Sequence, residues 1–283
     1  MPELPEIESI RRALERAIVG QRIESAVLGP HDLRARGAGR SKAAPRRGQA
    51  WATQRELLVG GRVASLERRG KQLAIVADDG RSLVVQLGMS GQLLITREAP
   101  ATHRHVTWSL SGRGVDLLVF RDPRRFGGIV PHERVQAMLD RWDRELGPDG
   151  LDEARAPIDR LRSGTRHVKA ALLDQSLVAG IGNIYADEAL HAAGIRPSRR
   201  CNRLTRDEAV SVLDEARRIM RGSVSQGGTS LRDHVLPQGD PGAARRLIRA
   251  YGRTGLPCLS CGLPLKGGRI AGRSTTWCTR CQR

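Results

Sequence analysis

The feature that most restricts this chain lies at its C-terminal end, where Cys258-x2-Cys261 and Cys278-x2-Cys281 form two knuckles separated by residues 262–277. Four thiolates at this spacing suit tetrahedral Zn²⁺, with every coordination position taken by sulfur. The surrounding segment has too few apolar residues to build a core, so metal binding has to supply its folding free energy. An iron–sulfur cluster is the rival occupant, although such clusters usually show less symmetric spacing. Closed coordination makes the expected metal structural. Cys201, the fifth cysteine, has no partner motif and reads as a bystander. Between the knuckles, Lys266, Arg269 and Arg273 put cations on an expected two-stranded loop, where guanidinium groups can grip phosphate bidentately. Basic ribbons of this kind occur in several nucleic-acid processes, so the tail points to nucleic acid without naming a reaction.

Charge points the same way. Lys and Arg number 48 against 30 Asp and Glu, a formal excess of +18 over 283 residues. A compact body with that charge repels itself unless a polyanion neutralises it, and phosphate contacts are the usual means. An anionic membrane surface fits less well, because no basic amphipathic stretch with a bulky apolar face stands out. No run of 18 apolar residues is present, so no membrane span is expected. The start, Met1-Pro2-Glu3, is acidic where a secretory signal is basic. A cytoplasmic, nucleoid-associated protein is expected, in a reducing compartment where five cysteines do not make a disulfide framework.

The length suggests two or three domains. Leu4, Ile7, Ile10, Leu14 and Ile18 recur at spacings of three and four and predict a helix over 4–18. Pro5 suits its first turn, and the acids before the arginines follow the helix dipole. Residues 31–55 hold many arginines among Gly, Ala and Pro, with no acid after Asp32; they read either as a basic loop that brushes DNA or as a tolerated surface insertion. Short β-rich runs follow at Val63–Leu66, Leu73–Ala77, Leu83–Leu87, Leu93–Thr96, His105–Leu110 and Val115–Phe120, separated by turn residues. They predict an antiparallel sandwich or barrel. Helical periodicity then predicts helices near 133–142, 166–177, 184–193 and 206–221. The expected class is α+β and multidomain: an N-terminal helix plus antiparallel β-sandwich (1–132), a helical body (133–245) and a metal module (246–283).

Six ordered blocks carry a more specific signal. They are Met1-Pro2-Glu3-Leu4-Pro5-Glu6, Leu87-Gly88-Met89-Ser90-Gly91, Asp122-Pro123-Arg124-Arg125-Phe126-Gly127, Gly180-Ile181-Gly182-Asn183 with Ile184–Glu188, Gln226-Gly227-Gly228-Thr229-Ser230, and Tyr251-Gly252-Arg253 running to Pro257-Cys258. In this order, with the cysteine spacing, the chain resembles the formamidopyrimidine-DNA glycosylases from first residue to last, apart from the basic insertion. The resemblance implies a helix–two-turn–helix domain at 133–245, a zinc finger at 246–283 and a monomer acting on damaged duplex DNA. It also implies a bifunctional glycosylase and lyase of base-excision repair, removing 8-oxoguanine and formamidopyrimidines and cutting the strand by β,δ-elimination.

Each block has a chemical reading. Small Pro2 permits removal of Met1, exposing a secondary amine; an α-amine with a reference pKa of about 7.7–8.0 is neutral far more often than a lysine. Such an amine can attack C1′ of a deoxyribose, and the resulting iminium is an electron sink. The resemblance implies this role for Pro2, a proton-donating role for Glu3, and elimination roles for Lys71 and Arg273. A damaged base has to leave the stack before it can be reached. Met89, Arg124 and Phe126 match the family's gap-filling residues, and Phe126, after charged residues and before two glycines, sits oddly for a core aromatic. Asn183, at an expected helix start, matches a phosphate contact and suits a cap as well. His103 matches another contact; Glu6, Arg166 and Lys169 complete the expected DNA-binding set. Pro2 and Pro5 alone would also read as a helix entry, and Met89 as packing under a turn.

Two departures bear on lesion choice: the family's usual Lys-His-Asp-His stretch reads Thr102-His103-Arg104-His105, and the expected base-capping loop carries Leu231 and His234 where aromatics are common. Two alternatives stay open. One is an endonuclease VIII-type enzyme for oxidised pyrimidines, a branch that usually has Gly where this chain has Leu4. The other is a non-catalytic, zinc-containing binder of damaged DNA.

Overall fold

The computed structural model describes residues 2–31, 33, 52–112, 117–153, 157–229 and 234–283. Most of the basic stretch 31–55, together with Val115 and Leu231, lies outside the described residues. The chain divides into two compact units, one built mainly of Glu6–Arg144 and Gly227–Ala243, the other of Glu3–Pro5, Glu145–Gln226 and Ala244–Arg283.

Helix α1 (Leu4–Ile18) occupies the predicted span, and its apolar stripe is buried, with Ile7, Ile10, Leu14 and Ile18 each at most 1% exposed. The first unit holds two four-stranded antiparallel sheets. One has the order β1 (Ile23–Leu28), β6 (Arg104–Leu110), β7 (Leu117–Arg121), β5 (Gln92–Thr96). The other runs β2 (Val63–Arg69), β3 (Gln72–Ala77), β4 (Ser82–Gln86), β8 (Gly128–His132). Ile7, Ile10 and Leu14 share one core with Leu73, Val85, Trp108 and Phe120 from both sheets, the sandwich that the β-rich runs predict. Helix α2 (Val135–Glu145) closes this part, with Met138 and Trp142 buried and the indole N–H donating to Gln72 Oε1 at 2.8 Å.

Two strands escape the sequence pattern. β8 contains Pro131, which has no N–H to give, and it is tolerated because, among the described strands, β8 lies at a sheet edge beside β4. β1 is the opposite kind of case. It is also an edge strand, its Glu24, Ser25 and Val27 face solvent, and a register shift between Ile23 and Ser25 breaks the alternation.

The second unit is helical: α3 (Ile158–Arg162), α4 (Val168–Leu172), α5 (Asn183–Ala192) and α6 (Arg206–Val224). The helix expected near 166–177 shrinks to α4, and α3 has no counterpart among the expected helices. Asp174 explains the shrinkage: its Oδ1 accepts from both the amide and hydroxyl of Ser176, a local turn that competes with the helix. α6 starts with a reciprocal Thr205–Glu208 capping box. A β-hairpin, β9 (Lys266–Ile270) and β10 (Arg273–Trp277), lies between the two cysteine knuckles. Among the described residues, no helix is long and apolar enough to cross a membrane.

One charge cluster in the first unit gives a pH prediction. Glu8 is nearly buried and takes guanidinium hydrogen bonds from Arg11, Arg12 and Arg68 at 2.8–3.1 Å. Burial alone would raise its carboxyl, but the three arginines outweigh it and hold it at about 2. A depressed carboxyl stabilises the fold fully above the unfolded-chain value and loses that contribution as pH falls through the folded value. Urea titration of Glu8→Gln is therefore expected to show a loss of about 3 kcal/mol at pH 7. The gap to the parent protein should close between pH 4.5 and about 2.

Candidate functional site

Glu3 is 1% exposed and lies at the N-terminus of α5. The Ile184 N–H donates to its Oε1 at 2.9 Å and the Tyr185 N–H approaches Oε2 at 3.4 Å. These are the amides a helix leaves without internal partners. The sequence suggests Asn183 as the cap; instead Asn183 is the first helical residue, Gly182 is the N-cap without a side-chain bond, and the carboxylate arrives from Glu3. The glycines of the loop make this possible. A Cβ on Gly182 would stand 2.3 Å from Glu3 Cδ, and one on Gly180 (φ +113°) would stand 2.3 Å from Leu4 Cδ1. The Leu4 N–H donates to Gly180 O at 3.2 Å. Pro2, immediately before Glu3, is buried.

The three expected gap-filling residues fall on two loops of the first unit that are tied by one acid. Asp122, fully buried, accepts from the Ser90 hydroxyl (2.6 Å), the Arg124 N–H (3.2 Å) and the Gly127 N–H (2.8 Å). Met89 precedes Ser90 and is half-buried, whereas Arg124 and Phe126 are exposed. Phe126 is 59% exposed and the Arg124 guanidinium carbon lies 5.1 Å from its ring centroid. A large aromatic is thus held out in solvent beside a buried anchor, with a cation on its face. His103 (φ +61°) accepts from the Asp122 N–H through its carbonyl. With His31, Arg104, His105 and Arg125 it lines a cavity that has no acidic side chain among its described lining residues.

Lys71 occupies the tight turn joining β2 to β3, after Gly70. Glu6 is buried, and its Oε1 accepts from the Thr229 N–H at 2.7 Å, fixing the start of the expected base-capping loop. His234 in that loop is also buried, with its Nε2 3.1 Å from Gly227 O; burial pushes its ring below the ordinary histidine range.

In the second unit Asn183 reaches the finger, its Nδ2 donating to Ser274 Oγ at 3.2 Å. Arg273, next to Ser274, is exposed at the start of β10. Arg166 pairs with Asp174 at 2.8 Å. Lys169 requires a correction. Expected at a DNA phosphate, it is wholly buried, and its ammonium meets Asp187 Oδ1 (2.6 Å), Ser274 O (2.7 Å) and Thr275 Oγ1 (2.9 Å). Three partners exhaust its donors.

The four knuckle sulfurs lie within 4.8 Å of one another, with Cys258–Cys281 at 3.9 Å and Cys261–Cys278 at 3.4 Å. A tetrahedron with Zn–S of 2.3 Å puts neighbouring sulfurs roughly 3.8 Å apart, so the set fits one structural Zn²⁺. Burial pushes the Cys258 thiol up, but a ring N–H from His191 (3.4 Å) and backbone amides outweigh it and lower it to about 7. Apart from the sulfurs, the module's core contains only Leu265.

Comparison with known proteins decides the family. Residues 1–129 match the formamidopyrimidine-DNA glycosylase N-terminal domain, residues 146–235 the formamidopyrimidine-DNA glycosylase H2TH domain, and residues 255–283 a zinc finger found in FPG and IleRS. The chain belongs to the formamidopyrimidine-DNA glycosylase family. The family's curated protein from Thermomicrobium roseum is 39% identical over 100% of this chain and 99% of the relative; that from Stenotrophomonas maltophilia is 38% identical over all of both chains. The crystal structure of MutM (Fpg) from Thermus thermophilus superposes with a TM-score of 0.82 at 36% identity, covering 99% and 98% of the two chains. A Lactococcus lactis Fpg mutant bound to Fapy-dG-containing DNA gives 0.84 at 30% identity over all of both chains.

Within this family member, sequence reasoning missed three acids that organise the site: Asp122, Asp187 and Glu188. The last accepts from the Arg249, Ala250 and Tyr251 N–H groups at 2.7–2.9 Å. Within α5, Asp187 and Glu188 interrupt the apolar residues Ile184, Tyr185, Ala186, Ala189 and Leu190, and acids on a helix buried at all these positions need partners.

Proposed function

We propose that this chain is a bifunctional glycosylase and abasic-site lyase of base-excision repair, acting on oxidised purines in duplex DNA. Glu3 is the observation that carries the reading: a buried carboxylate, one residue after a buried proline, seated on a helix N-terminus through glycines that exist to admit it. A purely structural cap needs no proline before it.

In this reading, removal of Met1 frees the Pro2 amine, which attacks C1′. The bond from C1′ to the base breaks, the base leaves with the bonding electrons and takes up the proton the amine loses, and Glu3 protonates the sugar ring oxygen as the C1′–O4′ bond opens to the iminium. The iminium then withdraws electrons: a proton leaves C2′ and the C3′–O bond breaks, and a second elimination removes a C4′ proton and breaks the C5′–O bond. Lys71 and Arg273 serve these steps through proton transfer and phosphate contact. Met89, Arg124 and Phe126 fill the gap left by the extruded nucleotide, while Asn183 and His103 hold phosphates, and the +18 charge supplies the salt-dependent part of binding. Glu6 positions the capping loop. Arg166 and Lys169 are left out because their charges are already matched. The functional segments are taken as 1–132, 133–245 and 246–283, in a monomer located with the nucleoid in the cytoplasm.

An oxidised-pyrimidine preference is the second reading, favoured by one solved relative, a Lactococcus lactis Fpg bound to DNA containing an oxidised pyrimidine (30% identity, TM-score 0.82). Single-turnover excision rates on duplexes carrying 8-oxoguanine, an oxidised pyrimidine or no lesion separate the cases. Faster release of 8-oxoguanine supports the proposal. Faster release of the pyrimidine lesion moves the chain to the endonuclease VIII type. Binding of every duplex with no release from any leaves a non-catalytic damage binder.

A further inference from the structure

We propose that the buried Lys169–Asp187 pair is a positioning device for Arg273, setting the finger strand so that the second elimination follows the first. This rests on the reading above that Arg273 acts in that step.

The pair grips three consecutive residues of β10. Lys169 Nζ donates to Ser274 O (2.7 Å) and Thr275 Oγ1 (2.9 Å), and Asp187 Oδ2 accepts from the Thr276 N–H (3.0 Å). Arg273 is the next residue outward; it and Ser274 are exposed, while Thr275 and Thr276 are buried. Thr275 Oγ1 also donates to Arg273 O at 3.2 Å, which carries the grip to the arginine's own backbone. Burial disfavours the Lys169 ammonium, Asp187 favours it, and the Arg273 charge is near enough to weigh on it in the same direction as burial.

A stabilising role alone accounts poorly for this arrangement. Both side chains are 0% exposed, and a buried ion pair commonly stabilises a fold no better than well-packed apolar residues would. What the pair provides, and apolar residues cannot, is a defined set of directional bonds to one strand. The rest of the helix extends the same logic. Glu188, beside Asp187, holds the amides of Arg249, Ala250 and Tyr251, the segment that enters the finger. Asn183, one turn earlier, holds Ser274, and the amides after it hold Glu3. One ten-residue helix therefore fixes the proton donor of the first step and the strand bearing Arg273.

The test uses the full-length zinc-loaded protein and a duplex containing a preformed abasic site. K169M/D187N removes both charges together, leaving no unmatched ion in the interior. T275V is isosteric and removes the two bonds made by Oγ1, the one from Lys169 and the one to Arg273 O. R273A reports on the premise. For each, borohydride trapping gives the rate of iminium formation, and a denaturing gel gives the ratio of 3′-phosphate product (both eliminations) to 3′-unsaturated aldehyde (the first only).

Trapping in K169M/D187N should stay within about twofold of the parent, while the product ratio falls by about 10- to 100-fold, the effect of an ångström-scale misplacement. T275V should shift the ratio the same way by about threefold; it decides the matter if the double variant loses zinc or fold. A role in stability alone moves the melting temperature and leaves the ratio in place. If R273A lowers the ratio and neither other variant does, the positioning proposal is wrong and the role of Arg273 stands. If R273A also leaves it unmoved, both are wrong.

Discussion

Glu3→Gln is expected to slow release of the damaged base by about 10²–10⁴-fold, the usual contribution of a positioned proton donor. The size of the effect follows from what Gln can keep. Its carbonyl oxygen replaces Oε1 as acceptor for the Ile184 N–H, so the start of α5 stays anchored. Its amide nitrogen replaces Oε2, the atom facing Tyr185 N–H at 3.4 Å, and an amide N–H is far too weak an acid to protonate a ring oxygen. Folding should suffer little, by about 1–3 kcal/mol for weakening a hydrogen bond to a charged acceptor. The variant should also keep much of its capacity to form an iminium on a preformed abasic site, where no base has to leave. Measuring both reactions on the same preparation separates the two roles. Equal losses on the lesion and on the abasic site would mean that Glu3 matters only as a cap.

Removal of zinc should have the second largest effect, confined to one part of the molecule. The finger's core consists of Leu265 and the cysteines themselves, so the metal contributes nearly all of its cohesion, on the order of 10–16 kcal/mol. The sandwich core of the first unit shares no residue with it. Chelation, or Cys278→Ser, should therefore raise amide exchange across 255–283 to unfolded rates while strands β3 and β4 stay protected. Arg273 and Arg269 lose their scaffold in that state. Without their two charge-assisted bonds to phosphate, each worth about 1.5 kcal/mol, DNA binding weakens by about a hundredfold. Protection across 255–283 that survives complete zinc release would contradict this account.

The parts of this structure that were legible in the sequence are those whose signal is local. Helix α1 shows its stripe in five residues, and the finger shows its ligands in two knuckles. The strands β2 to β7 show apolar runs between turns. The unread parts depend on partners far along the chain. β1 and β8 are edge strands, and edges tolerate the polar residues and the proline that hide them. Lys169 looks like any helix-surface lysine, because nothing near it announces that Asp187, Ser274 and Thr275 will surround it. Asn183 carries a capping preference of its own; the structure overrides it because two glycines admit a stronger acceptor from residue 3. Of the expected site, Met89, Arg124 and Phe126 fall on loops tied by Asp122, and Glu3, Asn183 and Arg273 on or beside elements joined by α5. Their roles come from the resemblance and the chemistry, and the acids that organise them went unread.

The central claim is that the nucleophile is the amine of Pro2, and one measurement addresses it directly. The protein is trapped with borohydride on a duplex bearing 8-oxoguanine opposite cytosine, digested with trypsin, and its peptides are weighed. The account predicts that Met1 is absent and that the sugar remnant is attached to peptide 2–11, which begins at Pro2 and ends at Arg11. A remnant carried by the peptide containing Lys71, or an adduct formed while Met1 is retained, would contradict it.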